Sequence, residues 1–441
     1  MKSGLRDAFW IGFGLFAAQL AWVLYNTYVP IFLQAGAPDF NVRGSVTTTG
    51  FGLSAALTGI IMALDNFAAL FLQPLMGPIS DRTRTRWGRR IPYLLIFIPT
   101  AAIGLALIPV APQLIPPALN GQVQALGGLF ALFILSLSIT LVSMAIWRTP
   151  IFALMADVTP SLLRSHANGV LNLMAGIGGV IAFILGSLLY KMNPALPFWM
   201  AALCMCGALA LIIWKVHEPR TELANLESPA RIDPGGNISL TAVLSSFRKL
   251  PPEHHRPLIL LGIAVFCYMM GFHPIEAFFS SYGVNVLGLS ESDTGFVLAT
   301  AYITFILFAI PSGMIAGKLG RRRTMQGGLV LFTIVMSVAF FTPVIPIMVV
   351  LMGLGGLAWA LIDIHGLPMI LDVTRTNTQA GTYAGIYFAA TTLAAVAGPV
   401  INGFLIHLTG RNYNVIFVIG PVFFILSLLT LRGVHEGEAH P

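Results

Sequence analysis

Four ionisable residues lie inside long apolar stretches of the sequence: Asp65, Arg148, Glu276 and Asp363. A charged side chain in hydrocarbon costs about 2.5 to 3.5 kcal/mol on insertion scales, so each of these residues is a candidate for function. A carboxylate in a membrane can bind and release a proton as its access to water alternates. The pattern predicts ion pairing and proton exchange inside a membrane, with Asp65, Glu276 and Asp363 as the proton-coupling residues.

Arg148 and Asp363 occupy equivalent positions in the two halves of the chain. Arg148 lies nine residues before Asp157, and Asp363 lies nine residues before Asp372. Nine helical residues rise about 13 Å, which carries both side chains from the aqueous surface toward the membrane midplane. We expect Arg148 to be neutralised by Asp363 or Glu276, with substrate or proton binding altering the pairing. A static structural ion pair is the alternative.

Aromatic and polar side chains on the apolar stretches supply candidate substrate contacts. Flat aromatic faces pack against ring-shaped substrates, and polar groups bond to substrate hydroxyls. Gln19, Trp22 and Asn26 recur at helical spacing, and Trp359 lies one turn before Asp363. The full set of predicted substrate-binding residues is Gln19, Trp22, Tyr25, Asn26, Arg148, Asn172, His273, Trp359, Asp363 and Tyr387. Packing is the competing interpretation for the aromatic members.

His273 lies three residues before Glu276 and directly before Pro274. A proline inside a helix frees a backbone carbonyl, which could help to coordinate substrate or proton. For His365 we expect a packing role.

The elements that position these residues are membrane helices. Hydrophobic residues make up 56% of the 441 residues and charged residues only 9%, which is typical of a polytopic membrane protein. The length accommodates about twelve spans of about 20 residues with connections, so the predicted fold class is an all-α polytopic membrane protein. The predicted helices cover 8–32, 53–76, 91–110, 128–150, 169–190, 197–216, 257–284, 295–317, 327–343, 346–367, 381–407 and 413–431. The first is too long for a signal-peptide core, so we expect it to be retained.

The chain is doubled. The tripeptide Gly88-Arg89-Arg90 recurs 232 residues later, and the segment around Asp157 recurs 215 residues later around Asp372. Residues 217–256 form a long polar, proline-containing interruption. We interpret it as a cytoplasmic linker between domains 1–216 and 257–441, with a short amphipathic helix over 238–250.

Charge and cysteine placement narrow the function classes. The net charge of +7 does not indicate a nucleic acid partner, because most basic residues fall in the termini and loops of one side, with Arg43, Lys191 and Arg411 on the other. This bias places both termini in the cytoplasm. The three cysteines lie inside predicted spans, which argues against a disulfide framework or a zinc site. Since we find no nucleophile elbow, metal-ligand cluster or phosphate loop, a carrier is favoured over a membrane enzyme or channel.

The stretch 77–93 holds five arginines and Asp81 between two apolar runs, so it must be a loop in water. Its Gly-x-x-x-Asp-Arg-x-x-x-x-x-Gly-Arg-Arg pattern, with a shorter copy at 317–323, resembles the signature of the major facilitator superfamily. The fuller form, from Gln73-Pro74 through 87–92, is similar to the glycoside-pentoside-hexuronide carriers and the sucrose/proton symporters.

The resemblance implies two pseudo-symmetric six-helix bundles around a central cavity lined by the fourth and tenth helices, which would face Arg148 and Asp363 toward each other. It also implies a cytoplasmic gate. Asp81 would lie near the amino end of a helix in the opposite half, and the arginines of the loop would contact Asp157. The predicted gate residues are Asp81, Arg82, Arg89, Arg90, Asp157, Arg321, Arg322 and Asp372. A merely topogenic role for the basic loop is the alternative.

One departure from the resemblance concerns sodium. Melibiose-type carriers place acidic and amide residues where this chain has Ala69, Leu72 and Gln73, and an acid where Arg148 falls. We therefore predict a proton-coupled symporter for a glycoside such as sucrose or maltose, monomeric in a bacterial inner membrane, with the proton gradient in place of a cofactor. A proton-driven exporter of a drug or metabolite, or a sodium-coupled sugar carrier, is the alternative.

Overall fold

The computed structural model describes residues 2–38, 40, 47–160, 163–218, 252–373 and 380–434. Within these residues twelve helices are long and apolar enough to cross a membrane. Large apolar side chains such as Ile310 and Phe341 are almost fully exposed, as expected of surfaces that face lipid rather than water. The predicted fold class is confirmed.

The twelve helices are α1 (Lys2–Gln34), α2 (Ala55–Arg82), α3 (Ile91–Leu107), α4 (Gly127–Val158), α5 (Arg164–Met192), α6 (Leu196–Lys215), α7 (Pro252–Tyr282), α8 (Glu291–Leu319), α9 (Arg321–Phe341), α10 (Ile345–Leu371), α11 (Ala380–Leu408) and α12 (Ile416–Arg432). Two short turns, Val110–Gln113 and Pro117–Leu119, follow α3, and a π-helical turn, Gly283–Leu287, extends α7. Backbone groups in a bilayer must bond within their own segment, which is why the apolar stretches are helical.

The basic loop is shorter than the sequence suggested. Helix α2 continues to Arg82, so only residues 83–90 connect it to α3. In the second half the chain breaks only at Gly320, whose φ is 87°, and Arg321 already begins α9. Charged side chains at a helix end reach water without unwinding the backbone, so the predicted loops were too long at both places.

The helices form two compact units. The N-terminal unit contains α1, α2 from Phe67 onward, and α3 to α6. The C-terminal unit contains α7 to α12 together with Ser54–Asn66, the beginning of α2. This segment approaches α11 closely, because a Cβ atom on Gly59 would lie 2.3 Å from the carbonyl oxygen of Pro399. The predicted boundaries at 216 and 257 stay a prediction, and the predicted helix at 238–250 lies outside the described residues.

Small residues set the close helix contacts inside each unit. A Cβ atom on Gly178 of α5 would lie 2.4 Å from the carbonyl oxygen of Phe16 in α1. A Cβ atom on Gly356 of α10 would lie 2.0 Å from the carbonyl oxygen of Ala301 in α8. Glycine at these positions lets two backbones touch.

Candidate transport and proton-coupling site

Helix α7 supplies much of the candidate site in the C-terminal unit. Pro274 lies inside α7 and has no N–H for the carbonyl of Met270, four residues earlier. Helix α11 approaches α7 at this level, since a Cβ atom on Gly398 would lie 3.0 Å from the Cβ of His273. His273 therefore lies at a close contact between two helices, beside the place where α7 lacks one backbone hydrogen bond.

Four ionisable side chains from three helices belong to the C-terminal unit, and two of them are in contact. The Nδ1 atom of His273 lies 3.1 Å from Oε2 of Glu276. Asp363 of α10 and Asp65, at the beginning of α2, belong to the same unit. We call Asp65, Glu276, His273 and Asp363 the ionisable cluster. The structure thus places the three predicted proton-coupling residues in one unit.

Asp65 is the most buried member of the ionisable cluster, with 4% of its surface exposed. Its Oδ1 accepts hydrogen bonds from the backbone N–H of Asn66 and from Asn66 Nδ2, the latter at 2.8 Å. Neutral N–H donors bond to a carboxyl oxygen both when the acid is ionised and when it is protonated. A fixed cation, in contrast, favours the ionised form. This surrounding suits a group that gains and loses a proton.

An aromatic platform lies beside the ionisable cluster. The rings of Trp359 and Phe272 stack at 3.8 Å between centroids with an angle of 10° between planes. Tyr268 meets Trp359 edge-on at 5.8 Å, and both Tyr268 and Tyr387 interact electrostatically with Asp363. We call Phe272, Trp359 and Tyr268 the aromatic platform. Tyr268 and Trp359 are buried, with 0% and 9% of their surfaces exposed, so in this structure the rings pack against one another. Aromatic rings next to a carboxylate and tyrosine hydroxyls have the composition of a sugar subsite.

The other predicted substrate contacts belong to the N-terminal unit. Gln19, Trp22 and Asn26 of α1 are half-buried, whereas Tyr25 is buried and packs its ring 5.9 Å from that of Trp22. These four residues share one stretch of α1, as their spacing predicted.

Arg148 is exposed on α4, and Asn172 is exposed on α5, where it donates to the carbonyl of Asn168 at 3.0 Å. Arg148 belongs to the N-terminal unit, and Asp363 and Glu276 belong to the C-terminal unit. The expected pairing of Arg148 with either acid stays a prediction.

The basic loop forms a buried network. Arg90 donates to Oδ2 of Asp157 at 3.2 Å through Nε, and it also donates to Ser80 and Asp81. Arg89 donates to the same Asp157 oxygen at 3.2 Å. Asp81 therefore has a partner in its own unit, and its expected contact with the opposite half stays a prediction. Arg82 is exposed.

Glu218 completes this network and was missed by sequence reasoning, which placed it at the start of the linker. Its carboxylate accepts from the backbone N–H groups of Arg89 at 2.7 Å, Arg90 at 3.0 Å and Ile91 at 3.3 Å. It thereby caps α3, whose first turn carries no acidic residue of its own. We call Ser80, Asp81, Arg89, Arg90, Asp157 and Glu218 the Arg90 cluster. An acidic residue just after a membrane span was the available signal, but it does not identify its partner.

The equivalent region of the C-terminal unit holds a simpler contact. Arg321 donates to Asp372, and Arg322 donates to the carbonyl of Arg432 at 2.9 Å. We call Arg321 and Asp372 the Arg321 pair. Nearby, the Nε2 atom of buried His365 lies 2.9 Å from the hydroxyl of Ser312, which confirms the expected packing role of that histidine.

Comparison with known proteins supplies the family. The sequence profile described as Major Facilitator Superfamily matches residues 11–292 and 261–441. The class E tetracycline resistance protein of Escherichia coli is 27% identical over 393 residues, covering 87% of each chain. The general alpha-glucoside permease of Schizosaccharomyces pombe is 24% identical over 206 residues, covering 46% of this chain and 33% of the permease.

The crystal structure of a D-xylose-proton symporter superposes with a TM-score of 0.68 at 16% identity, covering 98% of this chain and 97% of the symporter. At this level of identity the similarity shows a shared fold.

Proposed function

Because the chain belongs to the major facilitator superfamily, we propose that it is a proton-coupled symporter that imports a glycoside by alternating access. One observation carries the proposal. The ionisable cluster and the aromatic platform share α7 and α10, so the residues proposed to exchange protons lie on the same helices as aromatic rings of the kind that pack on sugars. Sucrose and maltose are the first substrates to test.

Two relatives support the sugar and the proton. The alpha-glucoside permease is named for a glucoside, and the symporter of the same fold is named for D-xylose and protons. The assignment to the glycoside-pentoside-hexuronide and sucrose/proton branch rests mainly on residues 65–170, which include the motif that runs from Gln73 to Pro92.

The proposal also covers the sugar contacts of the N-terminal unit, a cytoplasmic gate, and the location of the protein. Gln19, Trp22, Tyr25, Asn26, Arg148 and Asn172 are proposed as the sugar contacts of that unit. The Arg90 cluster and the Arg321 pair are proposed as halves of a cytoplasmic gate. We also propose that the protein is a monomer in a bacterial inner membrane, with both termini in the cytoplasm.

The test is transport by purified protein in liposomes. With acid outside and the sugar outside, we expect labelled sucrose or maltose to accumulate above its external concentration, because inward proton flow drives it. A protonophore should abolish accumulation, and replacing sodium by choline should leave it unchanged. Accumulation that needs sodium, or no uptake of any glycoside in a broad panel, would contradict the proposal.

Trp359 tests the aromatic platform. We expect Trp359→Ala to weaken sugar affinity by about 10-fold, the equivalent of about 1.4 kcal/mol, through loss of ring stacking. Trp199→Ala is the matched control, because Trp199 is exposed and bonds to the carbonyl of Ala106 away from the platform. Equal loss in both variants would count against the platform.

A proton-driven exporter is the second candidate, and one specific observation favours it. The tetracycline resistance protein matches nearly the full length of the chain, whereas the glucoside permease matches less than half. Inside-out vesicles energised with protons and offered tetracycline would test this candidate. Proton-dependent tetracycline uptake into such vesicles, with no sugar transport, would replace the symporter assignment.

A further inference from the structure

We propose that the carboxylate of Glu436 binds the amino end of α9, as the carboxylate of Glu218 binds the amino end of α3. In this arrangement Glu436 accepts hydrogen bonds from the first N–H groups of α9, and its side chain enters a cavity beside them. Glu436 follows Val434 by two residues and lies outside the described residues. The contact lies within the C-terminal unit and requires no assumption about the substrate.

The amino end of α3 shows how such a site is built. The first turn of α3 has no acidic residue, and its carboxylate comes from the segment that follows α6, a helix packed against α3. Glu218 accepts from the N–H groups of Arg89, Arg90 and Ile91. Gly88, with a φ of 111°, leaves room for it, because a Cβ atom there would lie 2.2 Å from a carboxylate oxygen. The site therefore needs a glycine, free helix N–H groups and an acid from a neighbouring helix end.

The amino end of α9 repeats the receiving half of this site. Gly320, with a φ of 87°, directly precedes Arg321, as Gly88 directly precedes Arg89. The first turn of α9 carries three arginines and no acidic residue. The first N–H groups of a helix have no partner within the helix and carry partial positive charge, to which the arginines add. A carboxylate is therefore stabilised here for the same reason as at α3.

A cavity beside this helix end has room for the carboxylate. Its volume is about 410 Å³, and it is lined by Leu319, Arg322, Arg323 and Gln326. Guanidinium groups and a side-chain amide are donors that bond to carboxylate oxygens. The apolar side chain of Leu319 suits the methylene groups of a glutamate. The cavity thus fits an anionic side chain that arrives from a neighbouring element.

The sequence supplies an acid at the equivalent place. Val216-His217-Glu218 follows α6, and Val434-His435-Glu436 follows α12, 218 residues later. Val216 and Val434 are both buried, with 1% and 0% of their surfaces exposed. The N–H of each valine donates to a carbonyl in the last turn of its own helix. The chain therefore leaves α12 much as it leaves α6, and the repeat assigns Glu436 the place of Glu218.

The end of α12 lies next to the cavity. Arg322, which lines the cavity, donates through Nη2 to the carbonyl of Arg432 at 2.9 Å. Further along, Phe332 of α9 stacks on Phe424 of α12 with 4.7 Å between ring centroids, so the two helices pack against each other. Two residues of extended chain span up to about 7 Å. Glu436 is therefore within reach of the amino end of α9.

Hydrogen exchange of purified protein in mild detergent, without added lipid, tests the contact at the amides of residues 321–323. For Glu436→Ala we expect these amides to exchange about 10-fold faster, because they lose their acceptor. The unfolding temperature should also fall by about 3 °C, as expected for loss of a helix cap. Glu438→Ala is the matched control, since it removes one negative charge two residues further along and should change neither quantity. Equal effects of the two substitutions, or no effect of either, would overturn the proposal.

A second variant and a lipid distinguish the other possible occupant of the cavity. Glu436→Gln keeps an oxygen acceptor, so it should retain part of the protection, and it replaces Glu436→Ala if that variant does not fold. Phosphatidylglycerol added to the detergent supplies a lipid phosphate as the competing anion. If this lipid slows exchange at residues 321–323 while Glu436→Ala and Glu436→Gln leave exchange unchanged, a lipid headgroup occupies the cavity and the assignment to Glu436 is wrong.

Discussion

The Arg90 cluster and the Arg321 pair come from equivalent places in the doubled chain, yet they differ in burial and in number of partners. The side chains of Arg90 and Glu218 are 3% and 2% exposed, whereas those of Arg321 and Asp372 are 24% and 41% exposed. In each region Gly-Arg-Arg lies where a helix begins, α3 in one half and α9 in the other. An aspartate lies near the end of the following helix, α4 or α10. The N-terminal copy adds Glu218, Ser80 and a second arginine to the contact.

The difference shows that two copies of one sequence motif need not contribute equally to the free energy of unfolding. In a buried network, loss of one member leaves its partners desolvated and uncompensated. In an exposed pair, water solvates the remaining charge, so the net contribution is small. Three substitutions in or beside the Arg90 cluster should therefore lower the free energy of unfolding more than one substitution in the Arg321 pair.

Arg90→Gln should have the largest effect, lowering the free energy of unfolding by about 3 kcal/mol, because it removes one partner of a buried ionic network. Chemical unfolding of purified protein in mild detergent measures it. Arg86→Gln is the matched control, since Arg86 is an exposed arginine of the same loop. Similar losses in the two variants would show that burial does not distinguish them.

Gly88→Ala should cost about 2 kcal/mol, because it combines backbone strain with a clash. Gly88 has a φ of 111°, and a Cβ atom there would lie 2.2 Å from a carboxylate oxygen of Glu218. Gly410→Ala separates the two causes, since Gly410 has a φ of 67° with open space around its Cβ position. Thermal unfolding that shifts equally in both variants would remove the role of the Glu218 contact.

Glu218→Gln should cost about 1 kcal/mol, because the amide oxygen still accepts from the α3 backbone but the charge at the helix amino end is lost. The same substitution in an Arg90→Gln background should cost measurably less, since members of one network are not additive. A double-mutant cycle on unfolding free energies measures the coupling. Strict additivity would show that Glu218 acts as a cap alone.

Asp372→Asn should have the smallest effect, about 0.5 kcal/mol, because the Arg321 pair is exposed to solvent. High salt should reduce the difference between wild type and variant further, as screening weakens exposed pairs first. Unfolding measured at low and high salt tests this. A loss as large as that of Arg90→Gln would erase the contrast between the two regions.

Much of the membrane architecture could be predicted from the sequence, because span length and hydropathy are local properties. The pairing of Arg89 and Arg90 with Asp157 could be anticipated from a motif that resembles a known family. Glu218 could not, since its partners lie more than 120 residues away and no periodicity links them. The stacking of Phe272 on Trp359 was missed for the same reason: Phe272 lies among other apolar residues of α7 with nothing to mark it.

By itself, the sequence determined that this chain forms long apolar helices, twelve of them within the described residues, and that a few ionisable residues lie within them. The reason is that a bilayer solvates neither an unpaired backbone group nor a buried charge. Only the tertiary structure decided which charges meet. The fold placed the members of the ionisable cluster, which lie on α2, α7 and α10, in one unit. Burial made the Arg90 cluster a network while its counterpart stayed a solvated pair. These outcomes depend on distances between segments far apart in the chain, which composition and spacing do not encode.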